Sequence, residues 1–299
     1  MMGAQAAEAI SAIDGVEVIE VGPDLPDDLR GEVLFSAWFE HPVFDRLDDI
    51  GIQWMHLPGT GIDGWPRPLL TGRTVTCSRG VSGIPIAEFV MASMLAFEKH
   101  FPETWLHEPP PHWNFAPLGE LAGRTLGLVG LGGIGLEVAR RALAFDMEVL
   151  AVRRTGAPSP VAGVEIVSTD DLLPVADHLV LAAPATSRTE HLLDADAFAR
   201  MKKGVHLVNI ARGSLVDQDA LRVALDDGQV ARASLDTVDP EPLPAGHWLY
   251  EHPQVFVSAH VSWASPRAFG RIIESFVENL RRYTAGQPLE GLIDVEEGY

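Results

Sequence analysis

Short apolar runs alternate with helical patterns along the whole chain. In the first third, Val16–Val21, Val33–Ser36, Ile52–His56 and Thr74–Cys77 read as strands. Turn-rich pieces such as Gly22-Pro23-Asp24 and Pro58-Gly59-Thr60-Gly61 separate them. Pro85–His100 reads as a long, mostly apolar helix. The Pro-rich piece Glu108–Pro111, followed by His112-Trp113, predicts an extended connector between domains, with Trp113 packed.

A second series begins at Thr125. Thr125–Val129 predicts a strand, Ile134–Phe145 a helix and Glu148–Val152 a second strand. His178–Ala182, His206–Asn209, Ala233–Leu235 and Val255–Ser258 continue the strands, with helical segments between them. Ser265–Ala285 reads as one helix, with Ser265 as its cap and Pro266 in its first turn. Strands alternating with helices predict an α/β chain with parallel sheets. The 299 residues favour two doubly wound, Rossmann-like domains over a single core. The expected division is 1–99 plus 266–299 for a substrate domain and 100–265 for a dinucleotide-binding domain.

Composition narrows the function. The formal net charge is −20, a field that repels phosphate backbones and anionic lipid, so neither nucleic acid nor a membrane is an expected partner. An acidic substrate would need local cations. Cys77 is the single cysteine, which excludes an intrachain disulfide and a multi-cysteine zinc site. The sequence offers no secretory signal and no apolar stretch of spanning length, so a cytoplasmic location is expected.

Candidate chemistry starts where the first strand of the second series ends. Thr125–Val129 runs into Gly130-Leu131-Gly132-Gly133-Ile134-Gly135, and a helix follows. That context gives the glycines their meaning as a dinucleotide motif. Gly130 permits a tight turn, Gly132 lets a pyrophosphate approach the backbone, and Gly135 lets helix and strand pack closely. The helix N-terminus then offers free N–H groups and the positive end of its dipole. At the end of the second strand, where an acid would bind both ribose hydroxyls, stand Arg153 and Arg154. Two guanidiniums suit a 2′-phosphate, so NADP(H) is favoured over NAD(H).

Three further strands end in polar groups: Arg212 after Val208–Ala211, Asp236 and Glu241 after Ala233–Leu235, and His260 after Val255–Ala259. Reduction of a 2-oxo acid needs such a set. A cation holds the carboxylate and polarises the carbonyl, and an imidazole supplies the proton as the alkoxide forms. A neighbouring carboxylate favours the imidazolium and fixes its tautomer. Arg212, His260 and Glu241 match that division of labour, which requires neither a metal nor a covalent nucleophile.

Taken in order, these motifs resemble the D-isomer-specific 2-hydroxyacid dehydrogenase family. The resemblance rests on Val129–Gly135, Asn209–Gly213 with Leu215-Val216-Asp217, Asp236, Glu241-Pro242 and His260. Fainter matches lie at Gly59–Asp63 and Ala87-Glu88. The resemblance implies that Arg212 binds substrate and that His260 is the acid/base with Glu241 as its partner. It implies that Asp236 orients the nicotinamide carboxamide, and that Pro184, Thr189 and Ile210 lie on cofactor-contacting segments. It also implies that the Thr60-Gly61 loop gives backbone N–H groups to the substrate carboxylate, in a cleft between the domains. A homodimer and D products from acids such as glyoxylate and hydroxypyruvate follow on the same ground. Ser258-Ala259 stands where the family often has Thr-Pro, and Tyr250 where a tryptophan is common. Two other readings stay open: a dinucleotide-sensing corepressor that keeps the fold, and formate oxidation, which Glu241 disfavours because that subgroup has glutamine there.

Overall fold

In the computed structural model, residues 7, 9–37, 39–114 and 116–298 are described. The chain divides into two compact units, Met1–Ser82 with Ser265–Tyr299, and Gly83–Ala264.

The first unit is built on a parallel sheet of β1 (Val33–Phe35), β2 (Trp54–Leu57) and β3 (Thr74–Cys77), in that order. All four residues of β2 are buried, because each face of the central strand is covered. Met55 and Leu57 join one apolar cluster with Val75, Ile62 and Phe44. Trp54 joins another with Ile273, Phe276, Val277 and Leu280 of the Ala268–Thr284 helix. Alternate strand residues point to opposite faces, and the helical spacing lines up one apolar stripe. Val16–Val21, expected as a strand, forms no ladder; Val16 and Val18 instead pack on the second cluster. Ser265 does not cap the C-terminal helix either. The helix begins at Ala268 with Arg267 at the cap position, and the buried Ser265 hydroxyl has no hydrogen-bond partner among the described residues.

The second unit carries a seven-stranded parallel sheet. Its strands are β4 (Thr125–Val129), β5 (Glu148–Val152), β6 (Val164–Ile166), β7 (His178–Leu181), β8 (Val205–Asn209), β9 (Val230–Leu235) and β10 (Val255–Val257). The order is β10-β9-β8-β7-β4-β5-β6, a doubly wound sheet whose direction of winding reverses beside β4. β4, β7 and β8 are buried along their whole length, as expected of strands covered on both faces.

The Gly83–Glu98 helix belongs to this second unit, so the division falls ahead of the expected 99/100 boundary. Its residues Ile86, Ala87, Val90, Met91 and Met94 share a cluster with Leu126 and Leu128 of β4. Val138, Ala139 and Ala142 of the Gly133–Ala144 helix complete that cluster. Fully burying a leucine or methionine stabilises by roughly 1.5–3 kcal/mol, which ties this helix to the sheet. Trp113, expected to pack, is 73% exposed, and Trp105 is 64% exposed. No helix among the described residues is long and apolar enough to cross a membrane.

Candidate active site

Every strand of the larger sheet runs the same way, so the ends of β4, β5, β7, β8, β9 and β10 lie along one edge. That edge collects Gly130–Gly135, Arg153-Arg154, Pro184, Arg212, Asp236 and His260. Ligands of doubly wound sheets bind at this edge, where the order reverses.

The glycine turn is shaped as a phosphate cradle. Gly130 has φ +104, and a Cβ there would lie 2.7 Å from the Ala182 carbonyl and the Ala183 nitrogen. The loops after β4 and β7 are therefore in backbone contact at the reversal point. A Cβ on Gly135 would lie 2.3 Å from the Gly130 oxygen, which enforces the close helix–strand packing. Gly132 differs: a Cβ there would meet nothing within 4 Å, so it borders open space. The first helical hydrogen bond runs from Leu136 N to Gly132 O, with no side-chain cap. The N–H groups of Gly133, Ile134 and Gly135 thus precede any intrahelical acceptor. An open backbone surface at Gly132 beside these donors fits a pyrophosphate.

Arg153 and Arg154 follow β5, next to that turn in the sheet. The Arg153 guanidinium donates to the carbonyls of Ala157 and Pro158, at 3.2 and 3.0 Å, and so braces its own loop. Arg154 is exposed. After β7, the Thr189 hydroxyl donates to Pro184 O at 2.7 Å and accepts from Thr186 N at 2.8 Å, closing the 184–189 loop on itself. Ile210 is buried against the β4 cluster.

The loops after β8 and β9 are pressed together. A Cβ on Gly213 would lie 2.0 Å from the Val238 carbonyl carbon, so glycine is required there. Buried Asn209 shapes the same loop: its Nδ2 donates to Arg212 O at 2.8 Å, and its Oδ1 accepts from Ala211 N at 3.0 Å. The Arg212 Nη1 donates to Ala211 O at 2.7 Å.

His260 and Glu241 meet. Nδ1 of His260 lies 2.9 Å from Glu241 Oε2, with both side chains more than a third exposed. The other carboxylate oxygen, Oε1, accepts from Val238 N at 3.0 Å, which fixes the acid in place. With Nδ1–H donated to Glu241, the Nε2 atom is the one available to a substrate.

Asp236 shows a role that its spacing did not reveal. It is 1% exposed. Its Oδ1 accepts from the Ser258 hydroxyl at 2.5 Å and from Val261 N at 2.9 Å, and its Oδ2 from Ser262 N at 3.0 Å. The carboxylate thereby organises the loop carrying His260. Sequence reasoning also passed over Trp263, whose indole N–H donates to His260 O at 3.0 Å. The signal available was a tryptophan three residues beyond a strand-end histidine, which has no meaning until the turn is built.

Thr60 and Gly61 lie in the first unit, in the loop after β2. Ser78 N donates to Gly59 O at 3.0 Å and to Leu57 O at 3.2 Å, tethering that loop to the end of β3. Neither Thr60 N nor Gly61 N donates to a backbone carbonyl among the described residues.

Residues 91–262 match the family model described as the D-isomer specific 2-hydroxyacid dehydrogenase NAD-binding domain. A glyoxylate reductase of Thermofilum pendens is 33% identical over 291 residues, covering 94% of this chain and 78% of that protein. A glycerate dehydrogenase of Methylorubrum extorquens is 36% identical over 253 residues, covering 81% and 79%. Among solved structures, a D-isomer specific 2-hydroxyacid dehydrogenase family protein of Klebsiella pneumoniae is 26% identical, with a TM-score of 0.79 over 99% of this chain and 94% of that one. A strand-edge glycine cradle, a family model spanning the sheet that carries it and relatives matched over most of their length converge: the chain belongs to the D-isomer specific 2-hydroxyacid dehydrogenase family of NAD(P)-dependent oxidoreductases.

Proposed function

We propose that the chain reduces a short 2-oxo acid to the D-2-hydroxy acid, with NADPH preferred over NADH. The observation that carries this reading is the His260–Glu241 pair, held on the same sheet edge as Arg212 and the glycine cradle. The names of the relatives matched, a glyoxylate reductase and a glycerate dehydrogenase, support short acids of the glyoxylate and hydroxypyruvate type.

Gly132 and the N–H groups of Gly133, Ile134 and Gly135 would hold the pyrophosphate, and Arg153 and Arg154 the 2′-phosphate. When bound, the reduced nicotinamide supplies a hydride to the substrate carbonyl carbon. Arg212 would bind the substrate carboxylate and polarise the carbonyl. His260 would deliver the Nε2 proton to the carbonyl oxygen as its π electrons become the alkoxide pair. Glu241 would hold Nδ1–H and offset the imidazolium charge, so that the proton sits on the nitrogen facing substrate. The backbone at Thr60 and Gly61 would add donors to the carboxylate. A homodimer and a cytoplasmic location complete the reading, with Trp105, Leu106 and Trp113, which lie within the second unit and not in a connector between units, as exposed apolar surface for a second copy.

The test is oxidation of NADPH and of NADH, followed by absorbance, against glyoxylate, hydroxypyruvate, pyruvate and branched 2-oxo acids. Turnover of a short acid with NADPH ahead is the expected result. No turnover across the panel, with dinucleotide binding intact, would favour a dinucleotide-sensing protein.

A further inference from the structure

We propose that Trp263 and Ser258 are positioning residues for His260, acting as two ends of a clamp that holds its backbone in a left-handed turn. The inference rests on the reading of His260 as the acid/base and adds how this chain keeps that group aimed.

His260 has φ +53, a backbone region that non-glycine residues seldom occupy. Residues so placed persist only where surrounding contacts determine them, and they concentrate where function needs a fixed geometry. Here both backbone polar groups of His260 are claimed. Its N–H donates to Asp236 O at 3.0 Å, and its carbonyl accepts from the Trp263 indole at 3.0 Å. Trp263 is itself half-buried against the cluster that contains Leu131, within the glycine turn, and Ile210, two residues before Arg212. Its indole therefore refers the His260 backbone to the rigid sheet core. On the other side, the Ser258 hydroxyl donates to buried Asp236, whose two oxygens also collect Val261 N and Ser262 N.

Ala259 places no ring restraint on this loop, and the hydrogen bonds made by Ser258 and Trp263 hold it from either side. The imidazole then reaches Glu241 Oε2 without a search over backbone conformers. Small misplacements of a catalytic group are costly, on the order of 10²-fold for about 1 Å.

The variants are Trp263→Phe, which keeps an aromatic ring and removes the N–H, Ser258→Ala, and the double change. Incorporation of a benzothienyl analogue of tryptophan at 263 removes the donor at constant shape and guards against a packing artefact. Each single change should lower kcat about tenfold and the double change more, with the dissociation constant for NADPH within about twofold of the parent. An activity-independent readout accompanies this: exchange of the His260 backbone N–H and of the Nδ1–H proton, followed by NMR in the unliganded protein. Both protons should exchange faster in the variants while the thermal midpoint holds. Unchanged exchange in the Phe and benzothienyl proteins would overturn the clamp. Absence of 2-oxo acid turnover in the parent would instead sink the reading of function, and the exchange result would still decide the clamp.

Discussion

At the scale of single residues, three glycines of one motif do separable jobs. Gly130 and Gly135 are required by the fold, since added Cβ atoms would meet backbone at 2.7 and 2.3 Å. Gly132 has open space and an ordinary negative φ. Gly132→Ala should therefore leave the thermal midpoint near that of the parent and weaken dinucleotide binding. Gly135→Ala should lower the midpoint clearly, as overpacking commonly costs about 1–3 kcal/mol. Calorimetry with binding titration separates the two, and equal destabilisation by both would refute the division. Gly213→Ala belongs with the second kind, since its Cβ would meet the Val238 carbonyl carbon at 2.0 Å. The glycine motif was legible from sequence because its meaning is local: strand, turn, helix. The tasks of Asp236 and Trp263 were not, because they arise from loops of different strands meeting.

At the scale of elements, strand ends place the chemistry and buried imidazoles set an acid limit on the fold. His56 of β2 is fully buried, with Nδ1 2.8 Å from Thr76 Oγ1 and Nε2 3.1 Å from Ser78 Oγ. Burial pushes its pKa from 6.5 down to about 4. In the larger sheet, His206 of β8 lies 3.1 Å from His178 of β7, Nδ1 to Nδ1, and 2.9 Å from Ser234 Oγ through Nε2. Burial, and then the charges of His178 and Arg232, hold His206 well below its ordinary value. For both groups the unfolded chain takes a proton more readily than the native one. Their stabilisation is whole above about pH 6.5 and is lost as pH falls, for His56 until about pH 4. The His56 share is about 3 kcal/mol in total. Thermal midpoints between pH 7 and 4 should fall less steeply in His56→Gln than in the parent; parallel slopes would contradict this. The pairing of His178 with His206 could not be read from the chain, because adjacency of β7 and β8 is a property of the sheet order. Val16–Val21 misled for the same reason. A β-rich run becomes a strand only when a neighbour offers a ladder.

At the scale of the whole molecule, a strongly acidic chain is proposed to capture anionic ligands through few, local cations. Arg153 and Arg154 at the end of β5 would carry the cofactor preference. Arg153→Asp should weaken NADPH binding relative to NADH by an order of magnitude or more, read as the ratio of their dissociation constants. An unchanged ratio would remove the phosphate pairing. The contacts of Arg153 with Ala157 and Pro158 carbonyls give this variant a second effect, a looser 153–158 loop, visible as faster exchange there. The two-unit architecture and its parallel sheets were legible in the alternation of apolar runs and helical patterns. The placement of the Gly83–Glu98 helix was not, because its apolar residues suit either unit and only packing on Leu126, Leu128 and Val138 decides it.

Everything proposed for the site turns on His260 as the acid/base of a 2-oxo acid reduction. The sharpest check is steady-state turnover of His260→Ala with NADPH and the best acid of the panel, alongside NADPH binding measured by nucleotide fluorescence. A loss of roughly 10²–10⁴-fold in turnover is expected, with NADPH affinity nearly intact. Turnover equal to the parent's would contradict the assignment.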